Sequence, residues 1–169
     1  MTTPMVSVVG WHNAGKTLFI ERLVVELRSK GLRVATIKHS RGEFEMDHPG
    51  TDTWRFAQAG SEAVAISGGG RLALLQNRAQ DATLDEIVAL LPRGLDLILV
   101  EGFKRLPLPK IEVTRTGVGE GRIGIGSDLL ALVTDDAPVG GCTVHGLPCF
   151  RPDDASGVAA LLRARGLLR

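Results

Sequence analysis

The chain contains no tyrosine, and aromatic residues make up only 4% of its 169 positions. Rows of stacking rings for single-stranded nucleic acid are therefore not expected. Basic clusters are also missing: no Lys/Arg run exceeds two residues, and the formal net charge is +1. That balance argues against non-specific binding to nucleic acid or to an anionic membrane. No apolar run reaches the length of a membrane span. The opening Met1-Thr-Thr-Pro-Met5 lacks the basic start of a signal peptide. A cytoplasmic protein is expected. Cysteine is scarce, and Cys142 and Cys149 are then expected to be reduced. His145 lies between them and suggests a metal set, but there is no CxxC pair and no evident fourth ligand. The plainer reading is a small buried thiol at each end of a strand or loop.

What is present is a globular α/β pattern, with 44% hydrophobic residues. Met5 to Gly10 reads as a short buried strand. Residues 15–30 follow with helical spacing, with Phe19, Leu23 and Leu27 on one line and Ile20 and Val24 on the next. Arg28 and Lys30 stand in the last turn, and Gly31 stops the helix. Val34 to Lys38 is a second strand. A β-α-β opening of this kind leads to a parallel sheet through a right-handed crossover.

A polar loop over residues 40–51 and a helix over 52–60 come next. Two β-like runs, 62–67 and 71–76, flank Gly68-Gly-Gly70 and predict a hairpin. A helix is expected over 83–92, stopped by Pro92. Leu95 to Val100 is the strongest strand, apolar enough to be covered on both faces. Further strands are expected at 110–114 and 129–133, with a closing helix over 153–165. The economical reading is one domain: a mostly parallel central sheet flanked by helices, with a β-hairpin extension.

Gly10-Trp-His-Asn-Ala-Gly-Lys16-Thr17 matches the phosphate-loop pattern G-x-x-x-x-G-K-[ST]. A strand precedes it and a helix begins inside it, as the chemistry requires. Gly10 and Gly15 permit unusual dihedrals and a close approach to phosphate. Backbone donors through Gly10, His12, Asn13, Ala14, Gly15 and on to Leu18 form the cradle, and the helix N-terminus adds a positive dipole end. His12 is not assigned a catalytic part. Lys16 is expected to reach the β- and γ-phosphates, and Thr17 to offer its hydroxyl to Mg²⁺.

A carboxylate is needed at the C-terminal end of another parallel strand. Glu101 stands there, whereas Asp96 lies at the wrong end of the same strand. Lys38 and His39 end the second strand and face the same region. Asp47, in the long polar loop, is the candidate second Mg²⁺-linked acid. Lys16, Asp47 and Glu101 are the expected catalytic set, and Thr17, Asp47 and Glu101 the expected metal set. Asp135, in Thr134-Asp-Asp136, follows a late strand and could present a carboxylate to the N1 and N2 donors of guanine. A strand-end turn explains the same aspartates.

These blocks together resemble the MobB family, the adaptor proteins of molybdopterin-guanine dinucleotide biosynthesis. The resemblance covers most of the chain. It rests on Gly10 to Thr17, Ile37-Lys-His39, Met46-Asp-His-Pro-Gly-Thr-Asp52, Ala59-Gly60 and Asp96-Leu-Ile-Leu-Val-Glu-Gly-Phe-Lys104. It implies a P-loop NTPase-like fold, GTP and Mg²⁺ as ligands, weak GTPase activity and a partnership with the MobA guanylyltransferase. It implies a homodimer, for which the hairpin over 62–76 is the candidate intersubunit element. Whether molybdopterin touches this chain or only its partner is left open. The stretch after the second strand, often richer in histidine in that family, reads Ser40-Arg41-Gly42 here. The alternative is a P-loop small-molecule kinase, since Val100-Glu101-Gly102 also occurs in such enzymes. That reading needs arginines over the transferred group, for which Arg41 and Arg55 are the candidates.

Overall fold

The computed structural model describes residues 3–40, 42–119, 121, 128–138, 142–144 and 146–168. They form two compact units, Met1–His39 with Leu90–Arg169, and Ser40–Ala89.

The first unit is built on a sheet of β1 (Met5–Val9), β2 (Val34–Lys38), β5 (Leu97–Glu101), β6 (Lys110–Thr114), β7 (Leu129–Thr134), β8 (Cys142–Val144) and β9 (Leu147–Phe150). The spatial order is β2-β5-β1-β6-β7-β9-β8. Every pairing is parallel except β8 with β9. The expected mostly parallel sheet is therefore present. Helices α1 (Lys16–Ser29) and α4 (Ala155–Ala164) cover one face. Phe19, Leu23 and Leu27 of α1 and Val158 and Leu162 of α4 bury against Val6, Val8, Leu97, Leu99, Ile111 and Val113. The alternate strand residues Val9, Ile98 and Val100 are buried as well. Both faces of the central strands are thus shielded, as their continuous apolar runs require.

Because the strands run parallel, the ends of β1, β2, β5, β6 and β7 share one edge. That edge is where open α/β sheets take ligands. The chain crosses from β1 through α1 to β2 at the edge of the sheet, and β5 fills the gap between them. This brings the ends of β2, β5 and β1 side by side: Lys38 pairs with Glu101, and Glu101 with Val8.

The short antiparallel pair β8 and β9 was not expected from the sequence. It sets Cys142 directly opposite Cys149, so the two thiols lie on adjacent strands. Both are thiols rather than halves of a disulfide, and His145 lies outside the described residues. Among the described residues no cluster of three or more His, Cys, Asp or Glu suits a metal ion. No helix among them is long and apolar enough to cross a membrane.

The second unit holds α2 (Asp52–Gln58), the antiparallel pair β3 (Ala63–Gly68) and β4 (Arg71–Gln76), and α3 (Leu84–Ala89). The hairpin is as expected. Helix α3 is shorter than the expected 83–92 and starts at a capping box. Thr83 N–H donates to Glu86 Oε2 at 2.8 Å, and Glu86 N–H donates to Thr83 Oγ1 at 3.3 Å. The Thr83 backbone donor, then its hydroxyl, then Arg78 hold the Glu86 carboxyl down at about 2.

Candidate phosphate site at the ends of β1, β2 and β5

The loop between β1 and α1 turns sharply at Gly10. Its φ is +152°, and a Cβ there would lie 2.2 Å from the carbonyl oxygen of Val113 on β6. Only glycine lets the loop leave β1 so close to its neighbour. Asn13 adopts a left-handed φ of 63°, which its short polar side chain tolerates. Ala14 is buried, while His12, Asn13, Thr17 and Leu18 are exposed. Helix α1 then begins with no side-chain cap at Gly15. The first intrahelical donor is Phe19 N–H, bonded to Gly15 O at 3.0 Å. The amides of Lys16, Thr17 and Leu18 precede it at the positive end of the helix dipole.

Three side chains from three elements meet beyond this helix end. Thr17 Oγ1 donates to Glu101 Oε2 at 3.3 Å, and Lys38 Nζ lies 3.9 Å from the same oxygen. Lys16 Nζ donates to Trp11 O at 2.8 Å. Burial pushes the Lys16 pKa below the ordinary lysine range; Glu101 works against that shift and Lys38 adds to it. Lys16, Lys38 and Glu101 thus share one electrostatic environment. Two cations beside one carboxylate leave the pocket positive, which suits an anion.

Glu101 is held from behind. His39 N–H donates to Glu101 O at 2.9 Å, and the buried Ser7 hydroxyl donates to Gly102 O at 2.8 Å. Gly102 has φ +106°, and a Cβ there would touch His39. Phe103 follows in the left-handed region at φ 48°, and its ring lies 4.5 Å from that of His39. A bulky residue in that region stores strain, which must be repaid by its surroundings. Sequence reasoning picked out Glu101, Lys38 and His39, but it missed Ser7 and the Gly102–Phe103 turn. The signal was a serine inside an otherwise apolar buried strand.

At the far end of β5, Asp96 Oδ2 accepts from Arg33 N–H at 2.7 Å, fixing the start of β2. This agrees with its exclusion from the site. Asp135, at the end of β7, accepts through Oδ1 from Thr116 N–H at 3.0 Å. That bond is the main cause of its lowered pKa. Asp47 belongs to the second unit. Its Oδ1 accepts from Thr51 Oγ1 and from His48 N–H, each at 2.8 Å. Hydrogen bonds from Thr53 and Thr51 lead the causes that lower its pKa. Arg55, also in the second unit, lies 3.9 Å from Asp52, and Arg41 lies outside the described residues.

Residues 5–135 match the family model described as molybdopterin guanine dinucleotide synthesis protein B, MobB. The chain belongs to the MobB family. It is 35% identical over 133 residues to the molybdopterin-guanine dinucleotide biosynthesis adapter protein of Haemophilus influenzae, covering 78% of this chain and 75% of that one. The protein of the same name from Escherichia coli is 33% identical over 120 residues, covering 69% and 68%. The crystal structure of Bacillus subtilis MobB superposes with a TM-score of 0.70 at 30% identity, covering 98% of each chain. The mostly parallel central sheet with flanking helices is therefore the P-loop NTPase-like α/β fold of the MobB structures.

Proposed function

We propose that this MobB-family chain is a GTP-binding adaptor in molybdopterin-guanine dinucleotide synthesis, with slow GTP hydrolysis and MobA guanylyltransferase as its partner. The observation that carries the nucleotide reading is the convergence of Thr17, Lys38 and Glu101 at the uncapped start of α1. Lys16 would reach the β- and γ-phosphates, and the amides through Leu18 would hold their oxygens.

The donor set fits Mg²⁺. The Thr17 and Glu101 oxygens are 3.3 Å apart, close to the roughly 3 Å between neighbouring oxygens of an octahedral Mg²⁺ shell. Thr17 would hold the ion directly and Glu101 directly or through water. The ion would supply charge neutralisation on the β- and γ-oxygens. Asp135, kept ionised at the end of β7, is the carboxylate proposed for the guanine donors.

The hairpin supports a homodimer. In register, Leu72 and Leu74 share a face with Ala65 and Ser67, while Ile66 lies with Val64, Ala73 and Leu75 on the other. Ile66, Leu72 and Leu74 are exposed. A two-stranded sheet that is apolar on both faces calls for cover. The kinase reading draws no support from Arg55, which is engaged on its own helix.

The test is purified protein with GTP or ATP, with and without MobA and molybdopterin. Stimulation of MobA-dependent dinucleotide formation by GTP is the expected result. Phosphorylation of a small acceptor would contradict the adaptor reading.

A further inference from the structure

Trp11 occupies the first variable position of the phosphate loop and is an exposed large apolar side chain, at 39%. Its indole Nε1–H donates to Gly121 O at 3.0 Å, across 110 residues of sequence. Its ring lies against Gly119, where φ is +73° and a Cβ would come within 2.2 Å of the indole Cγ. No side chain larger than hydrogen fits beneath that ring. The Trp11 carbonyl, in turn, accepts from Lys16 Nζ at 2.8 Å and from Ala14 N–H at 3.2 Å. One residue thus ties the turn after β6 to both the backbone of the loop and its lysine.

That turn is itself anchored. Thr116 N–H donates to Asp135 Oδ1, and the Thr116 hydroxyl lies 2.7 Å from Asp136 Oδ1. Val118 N–H closes back on Arg115 O at 3.0 Å. His12 and Asn13, which follow Trp11 in the loop, are exposed.

We infer that Trp11 is a positioning residue for the phosphate site: its indole clamps the first half of the phosphate loop to the turn at residues 115–119 and to Gly121. The cradle and the reach of Lys16 depend on that clamp. The inference rests on the nucleotide-binding reading and adds a residue that acts through the loop rather than on the ligand.

The experiment compares Mg²⁺-dependent binding of GTP and of inorganic tripolyphosphate to the full chain and to W11A, W11F and G119A. Thermal unfolding is followed in parallel. W11A should weaken both ligands on the order of tenfold or more, as expected when donors to a charged group move out of line. W11F keeps the ring over Gly119 and should recover part of that loss. G119A leaves every loop residue intact, so its loss of affinity with cooperative unfolding retained would mark displacement of the indole. The chain has two tryptophans, so in W54F the emission of Trp11 alone should shift when tripolyphosphate binds.

Wild-type affinity in both W11A and G119A would overturn the clamp while leaving the phosphate site standing. A loss confined to GTP, with tripolyphosphate unaffected, would overturn it too, because the indole would then be contacting the nucleoside directly. A wild-type chain that binds neither ligand would overturn the nucleotide reading itself.

Discussion

Thr17 on α1 and Glu101 at the end of β5 stand 84 positions apart, yet the threonine hydroxyl donates to the carboxylate at 3.3 Å. The contact exists because β1 pairs directly with β5, and α1 leaves from the end of β1. It joins the start of the helix to the acid a metal-linked phosphate would need.

Replacing Glu101 with Gln keeps its size and removes its charge. Mg²⁺ affinity in the presence of GTP should fall about 10–100-fold, as for other outer partners of metal ligands. Nucleotide binding without Mg²⁺ should change little or strengthen, because a negative charge beside the phosphates is gone. Titrations with and without the ion check this.

Lys16→Ala should cost about 1.5–3 kcal/mol of GTP binding, the range for a hydrogen bond to a charged group. The pH dependence follows from the lowered pKa of Lys16, caused first by burial. Phosphate binding requires the charged amine and raises its pKa. Affinity should therefore fall as pH rises through the lowered free-state value, beginning below the ordinary lysine range. Over the same window the ligand-free fold gains stability, since the unfolded chain binds the extra proton. Lys16→Arg should move the loss of affinity to higher pH, as read by binding at stepped alkaline pH.

Gly10→Ala drives a methyl into the Val113 carbonyl of β6. The expected destabilisation is roughly 1–3 kcal/mol, the range for overpacking, with loss of nucleotide binding. Denaturant unfolding measures the first and titration the second.

Leu72→Asp places a charge on an exposed apolar hairpin strand. Light scattering should show the proposed homodimer shifting to monomer, with thermal unfolding of the first unit kept.

Much of the first unit was legible because its signals are local. The spacing of Phe19, Leu23 and Leu27 announced α1, and the apolar run Leu97 to Val100 announced β5 with Glu101 at its end. What escaped notice depends on sheet order. Ser7 reads as an interruption of a strand until β1 lies beside β5 and its hydroxyl meets Gly102 O. His39 and Phe103 share a contact only because β2 is the other neighbour of β5. Trp11 and Gly119 meet because β6 flanks β1. The pair β8 and β9, of 3 and 4 residues, is too short to show periodicity, and Pro148 argues against a strand.

Residues Gly10 to Thr17 are proposed to hold the phosphates of GTP. Calorimetric titration of GTP and ATP, each with Mg²⁺, into the wild-type chain and Lys16→Ala tests this most directly. The expected result is one GTP per chain, bound more tightly than ATP and weakened in the variant. No binding of either nucleotide, or wild-type affinity in Lys16→Ala, would contradict it.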